Sequence, residues 1–321
     1  MTAARRIDTH QHIVPPAYAQ WLTSLGITAG GRSIPDWHED AALELMADND
    51  IAAAVVSVST PAVEPAGQEE GRDMARTLNA FCADLRDRMP DRFGFFATLT
   101  LPDVEGAVRE ACHALDELGA DGVTLLANSK GIYLGDPSFD PLMEQLNRRS
   151  AVVFVHPSAL PAEPVPGLPA YAADFLLDTT RAAVNLARSG CLERYPNVKV
   201  LLSHAGGFVP YAAERLAQHC APDGTPEDGL ERLRRFYYDT ALSSSPYALP
   251  SLLAFANPTH ITFGSDWPYA PSTKSARFAG MLDDFHLTES QRHAINRGNA
   301  EQLFPRLASV LPSGTSPQPQ H

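Results

Sequence analysis

The chain has 321 residues, 44% of them hydrophobic, and a net charge of −13 at pH 7. This length permits one large domain, such as a closed α/β barrel of about 250 residues with insertions. The acidic charge makes nucleic acid and anionic lipid poor partners, and the absence of any run of about 18 apolar residues predicts no membrane span. A small anionic substrate stays possible, because a buried metal ion or an arginine can reverse the local field.

The four cysteines form no CxxC pair. In a chain of this length we expect core thiols in a reducing cytoplasm rather than a disulfide framework. Arg5 and Arg6 are not followed by an apolar segment, which argues against a signal peptide. The sequence therefore predicts a cytoplasmic protein.

Short apolar runs, most of them rich in β-branched residues, recur along the chain and predict eight strands. They lie at 5–13, 52–59, 92–99, 121–127, 151–157, 199–206, 235–241 and 260–268. Several are apolar on both faces, as is typical of a parallel sheet covered by helices. Between the strands, stripes such as Met74, Leu78, Phe81 and Leu85 have helical spacing. This alternation predicts a (β/α)₈ TIM barrel.

Two proline-rich segments interrupt the alternation. Residues 14–37 follow the first strand and are long for a strand-to-helix connection, so they are expected to form a lid or wall over the barrel mouth. Residues 157–170 form a similar insertion after the fifth strand. The segment 309–321 has low hydrophobicity and is predicted to be a disordered tail, which leaves residues 1–308 as a single barrel domain.

Polar side chains stand at the ends of four predicted strands. His10 and His12 are two residues apart and therefore share one face of the first strand. His156, His204 and Asp266 end the fifth, sixth and eighth strands. Because the carboxyl ends of barrel strands build the active site, these five side chains are expected to converge. Imidazole and carboxylate ligands predict one divalent metal ion, Zn²⁺ or Mn²⁺.

Each of these residues alone is weak evidence. A single His-x-His pair can be an accident of composition, a strand-end aspartate such as Asp266 is commonly a turn or cap residue, and His156 before Pro157 could simply end a strand. Their occurrence together, in order around a predicted barrel, favours the metal site. Of the remaining histidines, His38 is of interest because it lies beside Trp37 in the first long insertion.

The segments IDTHQHIVPP, VKVLLSHAGGFVPYAAERL and ITFGSDWPYAP resemble the amidohydrolase superfamily, specifically its aminocarboxymuconate-semialdehyde decarboxylase-like branch and the 6-methylsalicylate decarboxylase group within it. The resemblance implies that His10, His12, His156 and Asp266 hold the metal, and that His204 serves as an acid or base. In the segment GVTLLANSKG the lysine, Lys130, falls past the fourth predicted strand, so this strand lacks the carboxylated lysine seen in many hydrolytic relatives. The site is therefore expected to be mononuclear.

The resemblance also assigns a role to Arg215, eleven residues after His204. It matches an arginine that, in relatives, reaches into a neighbouring subunit to bind a substrate carboxylate, and it implies a homodimer or higher homo-oligomer. The alternative is an ordinary arginine on a helix surface.

The leading hypothesis is metal-dependent, non-oxidative decarboxylation of a small aromatic, salicylate-like acid or an unsaturated carboxylic acid. Asp266 or His204 would deliver the proton as a general acid. The second hypothesis is a hydrolase or hydratase acting on a lactone, amide or C=C bond, since one scaffold supports several reactions. The third is an inactive barrel that serves as a binding or scaffold protein.

Four aromatic residues are candidates for packing against a planar substrate ring. For each of them, ordinary packing within the barrel is the alternative. They are Trp37, Tyr133, Phe208 and Trp267.

Overall fold

The computed structural model describes residues 6–311. Its strands are β1 Arg6–His12, β2 Ile51–Ser57, β3 Phe93–Thr98, β4 Gly122–Leu126, β5 Asn128–Ser129, β6 Ile132–Tyr133, β7 Val152–His156, β8 Lys199–Leu202, β9 Tyr237–Asp239 and β10 Ile261–Thr262. Eight of these strands form one parallel sheet in the order β1-β2-β3-β4-β7-β8-β9-β10. A parallel bridge between Asp8 and Phe263 joins the last strand to the first. The predicted (β/α)₈ barrel is confirmed, and β5 and β6 add a small antiparallel hairpin after β4.

Helices surround the sheet. They are α1 Pro16–Ser24, α2 Glu39–Asp48, α3 Gln68–Arg88, α4 Val104–Asp116, α5 Asp140–Arg148, α6 Asp174–Arg188, α7 Cys191–Arg194, α8 Val209–Cys220, α9 Pro226–Arg234, α10 Leu249–Phe255, α11 Ser272–Asp284, α12 Glu289–His293, α13 Asn299–Leu303 and α14 Pro305–Val310. The predicted stripe that begins at Met74 lies in α3. Within residues 6–311, none of the helices combines the length and the apolar character that crossing a membrane requires.

The two predicted insertions differ in structure. Residues 14–37 contain α1, which begins at Pro16 with proline in the first turn, where its missing N–H costs no helical hydrogen bond. Residues 157–169 form no α-helix or strand. At the other end of the chain, α14 includes Ser309 and Val310, so the first residues of the predicted tail are helical. Residues 312–321 of that tail lie outside the described part of the chain.

The barrel interior is filled by apolar side chains below the site. One buried cluster contains Ile7, Phe96 and Phe154 from the strands. Phe304, between α13 and α14, and Leu307 of α14 belong to the same cluster. Full burial of side chains of this size contributes about 1.5–3 kcal/mol each. The ring of His10 lies directly against Phe154, with 4.9 Å between the ring centroids. The apolar filling therefore forms a rigid floor under the strand-end histidines.

Candidate active site

The five predicted strand-end side chains meet at the carboxyl end of the barrel. The ligand atoms of His10, His156, His204 and Asp266 all lie within 4.8 Å of one another. His12 joins them, because its Nε2 lies 3.1 Å from Nε2 of His10. All five residues are buried. The structure thus brings together residues that are up to 256 positions apart in the sequence.

The four imidazole rings are held in the same way. In each ring Nδ1 faces an oxygen, which places the proton on Nδ1 and leaves the Nε2 lone pair directed at the common centre. The pairs are His10 with the Asp239 carboxylate (2.6 Å), His12 with the Ser57 hydroxyl (3.1 Å), His156 with the Pro157 carbonyl (2.9 Å) and His204 with the Ala241 carbonyl (3.1 Å). These contacts therefore orient four imidazole nitrogens towards one common centre.

The spacing of these ligands fits a single cation. Oδ1 of Asp266 lies 3.3 Å from Nε2 of His10 and 3.2 Å from Nε2 of His12, and the two nitrogens are 3.1 Å apart. Unprotonated ring nitrogens and a carboxylate repel at such distances unless positive charge lies among them. Ligands bound at about 2.0–2.1 Å to one ion lie about 3.3 Å apart in a tetrahedral and about 2.9 Å apart in an octahedral arrangement. The donor set accordingly fits one divalent metal ion.

The electrostatics of the cluster agree with this fit. Burial opposes the charged form of His10, but the charges of Asp239 and Asp266 outweigh burial and raise the pKa of His10 to about 10. Burial also opposes ionisation of Asp266, yet hydrogen bonds with His10 and His12 hold the pKa of Asp266 well below its ordinary value. Burial, together with the neighbouring histidines, lowers the pKa of His156 well below its ordinary value. The cluster thus favours positive charge, which a proton or a divalent cation can supply.

Asp239, at the end of β9, was not among the predicted site residues. Its Oδ2 accepts from Nδ1 of His10, and its Oδ1 accepts from the backbone N–H groups of His204 and Ala241, both at 2.9 Å. One buried carboxylate therefore orients a ligand from β1 and the loop after β8. The available signal was an aspartate at the carboxyl end of the seventh predicted strand, FYYDTA.

The loops at the rim contain strained backbone. His204, Ala205, Leu242 and Asp266 have φ values of 52°, 56°, 52° and 61°, in the left-handed region that costs about 1 kcal/mol or more for residues other than glycine. The Asp266 N–H donates to the His10 carbonyl at 2.8 Å, which holds the carboxylate over β1. After His204 the chain needs Gly207, because a Cβ there would lie 2.1 Å from the Leu176 carbonyl oxygen of α6. Such strain is typical of functional sites.

A cavity of about 540 Å³ opens above the cluster, a size typical of small-molecule sites. His156, His204 and Asp266 form part of its wall, whereas His10 and His12 are fully buried beneath it. Much of the remaining wall is aromatic. The aromatic residues are Tyr171, Phe175, Phe208, Tyr211, Tyr247, Tyr269 and Phe278.

Of the predicted ring contacts, only Phe208 lines this cavity. Trp267 is 5% exposed and packs in the core, because Asp266 faces the cavity and its neighbour turns away. Trp37 packs edge-on against Phe81 with centroids 6.0 Å apart. Tyr133 donates a hydrogen bond to the buried Asp178 at 2.8 Å. The expectation that these three side chains form the substrate wall is therefore corrected.

His38 and Arg215 also lie away from the cavity wall. Nδ1 of His38 accepts from the Ala41 N–H at 3.1 Å and caps the start of α2. Arg215 is exposed on α8 and forms no ion pair or side-chain hydrogen bond with the rest of residues 6–311. A contact between Arg215 and substrate would require a second subunit.

Two cations that line the cavity were not predicted. The guanidinium of Arg32 donates to the Tyr269 carbonyl and lies over the Tyr171 ring, 4.7 Å from its centroid. Lys274 lies near the start of α11. Arg32 lies in the connection between α1 and α2, and Lys274 lies in the first turn of α11. Their positions at the cavity depend on the folded barrel, so periodicity in the sequence carried no signal for them.

The chain matches known proteins over nearly its whole length. A family model described as Amidohydrolase matches residues 7–306. The chain is 37% identical to the 6-methylsalicylic acid decarboxylase of Penicillium expansum, with 95% of this chain and 98% of that protein covered. Its fold matches the crystal structure of an amidohydrolase II at a TM-score of 0.89 and 32% identity, covering 94% and 99% of the two chains.

A second crystal structure is similar in fold. The dihydroxybenzoic acid decarboxylase of Polaromonas sp. JS666 matches at a TM-score of 0.79 and 24% identity, covering 94% and 96% of the two chains. That protein was crystallised with bound manganese and the inhibitor 2-nitroresorcinol.

Proposed function

The chain belongs to the amidohydrolase family, and we propose that it is a metal-dependent, non-oxidative decarboxylase of small aromatic carboxylic acids of the salicylate type, such as 6-methylsalicylic acid. The observation that carries this proposal is the set of oriented imidazole nitrogens around one carboxylate, placed in the floor and wall of an aromatic cavity. An aromatic wall suits a planar ring, and the donor set suits a metal that engages its acidic group.

Four residues would hold the ion: His10, His12, His156 and Asp266. When bound, it supplies Lewis acidity and a template for a carboxylate and an adjacent phenolic oxygen. Three nitrogen donors and one oxygen donor suit Zn²⁺ and Mn²⁺ alike. The bound manganese of the Polaromonas decarboxylase favours Mn²⁺.

The protein residues in the wall supply the proton. Loss of CO₂ directly from an aryl carboxylate would leave a carbanion in the ring plane, where the π system cannot delocalise the charge. Protonation of the carbon that bears the carboxylate avoids this, because the electron pair of the breaking C–C bond then returns to the ring as CO₂ leaves. His204 and Asp266 both face the cavity and are the candidate general acids.

His204 is well placed for this role. Its Nδ1 is occupied by the Ala241 carbonyl at 3.1 Å, so Nε2 is the atom that carries a proton to or from the substrate. Its side chain is 8% exposed, whereas His10 and His12 are fully buried. His204 can therefore contact substrate without leaving the cluster.

We further propose a homodimer or higher homo-oligomer in which Arg215 of one subunit reaches the substrate carboxylate in the cavity of its neighbour. Arg215 is exposed on α8, and Tyr211, which lines the cavity and is 85% exposed, lies four residues earlier on the same helix. Positions four residues apart share a helix face. A neighbouring α8 that covers the cavity mouth would therefore present both residues. A cytoplasmic location, inferred from four free cysteines, stays a prediction.

The test is a metal-dependent product assay. Protein loaded with Mn²⁺ or Zn²⁺ is incubated with salicylate and 6-methylsalicylate, and CO₂ and the corresponding phenol are quantified. We expect both products in equal amounts, with no turnover after chelation and recovery when metal is restored. A panel of lactones serves as the control substrates. Lactone hydrolysis without CO₂ release from either acid would contradict the proposal and favour the hydrolase alternative.

A further inference from the structure

The cavity contains more positive charge than its own acidic residue balances. Among the residues that line it, Arg32 and Lys274 are cations and Asp266 is the only carboxylate. A divalent ion at the strand ends would add two further positive charges. In a protein with a net charge of −13, this makes the cavity a local binding region for anions.

The two cations differ in their contacts. The guanidinium of Arg32 is occupied by the Tyr269 carbonyl and the Tyr171 ring. The ammonium group of Lys274 forms no hydrogen bond or ion pair with any side chain or carbonyl group in residues 6–311. Lys274 is half-buried and lines the cavity, and no side chain of residues 6–311 forms an ion pair with it.

The position of Lys274 in its helix has no local explanation. It is the third residue of α11, whose first turn contains no acidic residue. The positive end of the helix dipole makes a cation in this turn unfavourable. Lysine is also rare in this chain, which has three among its 25 lysine and arginine residues. Helix stability therefore does not account for the residue.

The first turn of α11 is anchored to the metal-binding loop. The Ser275 hydroxyl donates to the Ser265 carbonyl at 3.0 Å, one residue before Asp266. Phe278, one helical turn after Lys274, also lines the cavity. The helix thus presents an ammonium group and an aromatic ring on the face that borders the site.

We propose that the Lys274 ammonium group binds an anionic oxygen of the substrate, a carboxylate or phenolate oxygen, and thereby determines specificity for aromatic acids. The inference rests on the proposed function, since it names the group that recognises that substrate class. An ammonium group on a flexible stem provides a compact charge with three donors, which suits a single anionic oxygen. Lys274 is therefore a group that contacts the substrate directly.

The test compares Lys274→Met with Lys199→Met. Lys199 begins β8 at the opposite end of the strand from His204, so its replacement makes the same change in net charge outside the cavity. Binding of benzoate, 2-nitrophenolate and neutral phenol to the Mn²⁺-loaded proteins is measured by calorimetry. We expect Lys274→Met to weaken benzoate or 2-nitrophenolate by about 10- to 100-fold, and the affected probe identifies the oxygen. The affinity of Lys274→Met for phenol should be unchanged, and Lys199→Met should bind all three probes as the wild type does. Lys274→Arg should recover part of the loss.

The melting temperature separates a substrate contact from a structural role. Removal of a cation from the first helical turn should leave the melting temperature unchanged or slightly higher. Equal affinities of wild type and Lys274→Met for both anions would overturn the inference, as would an equal loss for neutral phenol. If wild type releases no CO₂ yet Lys274→Met loses anion affinity, the proposed function fails and the inference survives. Wild-type protein that binds neither anion contradicts both.

Discussion

Replacement of Asp239 by asparagine should weaken metal binding strongly, because it changes the tautomer of His10. In the wild type, Oδ1 of Asp239 accepts from two backbone N–H groups, at His204 and Ala241, and Oδ2 accepts from His10 Nδ1 at 2.6 Å. The asparagine oxygen must stay with the two N–H donors, so its NH₂ group faces His10. Because NH₂ can only donate, the ring proton of His10 moves to Nε2, the atom that faces the metal.

The size of the effect follows from these contacts. The change removes a charge-assisted hydrogen bond, worth about 1.5–3 kcal/mol, and it blocks one of the nitrogen ligands. Partners of this kind alter metal affinity by about 10- to 100-fold, and we expect the upper end, about 100-fold. The opposite amide orientation would set NH₂ against two buried N–H donors, at a cost of about 1–3 kcal/mol for each unsatisfied group. In either orientation the site is damaged.

The assay is a Mn²⁺ titration followed by the electron paramagnetic resonance signal of the free ion. Asp8→Asn is the matched control, because Asp8 is a buried carboxylate of β1 that does not contact the imidazole rings. Its replacement amide can donate to Oε1 of Gln11, a buried atom without a hydrogen-bond partner in residues 6–311. We expect the control to keep its metal affinity within about threefold. If Asp239→Asn binds Mn²⁺ as tightly as the control, His10 is not a ligand through Nε2.

Three further predictions concern His204, Glu64 and Arg215. His204→Asn should keep its metal but lose about 10²- to 10⁴-fold in kcat, the size of a general-acid contribution; a near-normal rate in a product assay would remove His204 from the reaction. Burial is the main cause that raises the pKa of Glu64 from 4.5 to about 7. Between these two pH values the folded protein holds a proton that the unfolded chain has lost, so its stability falls as the pH rises. Glu64→Gln cannot ionise. Measured by urea unfolding, the free energy of unfolding of Glu64→Gln minus that of the wild type should therefore increase by roughly 3 kcal/mol between about pH 4.5 and about pH 7. A difference independent of pH would show that Glu64 ionises normally. Arg215→Ala and His204→Asn chains refolded together should recover activity, because a mixed dimer contains one cavity with both native residues, and a mixture no more active than the separate variants would place Arg215 outside the site.

Much of the fold was predictable because strand burial leaves a strong signal. Every residue of β2 and β7 is buried, so these strands appear in the sequence as continuous apolar runs. The His10-x-His12 spacing predicted two side chains on one face, since alternation along a strand is a local property.

Other features depend on contacts between distant segments. The eighth predicted strand spans 260–268, yet regular pairing ends at Thr262, because Asp8 accepts from the Ser265 N–H at 3.1 Å and Asp266 turns into the left-handed region. Helix α1 was missed because proline was interpreted as a loop signal, although it fits the first helical turn. Lys274 reaches the cavity only because α11 is anchored to the rim.

The fate of the incoming proton tests the proposed decarboxylation. Metal-loaded protein is supplied with 6-methylsalicylate in D₂O, and the phenolic product is analysed by nuclear magnetic resonance. We predict metal-dependent release of CO₂ together with one deuterium at the ring carbon that carried the carboxylate. Unchanged substrate in the presence of bound metal, or product formed equally well after chelation, would contradict it.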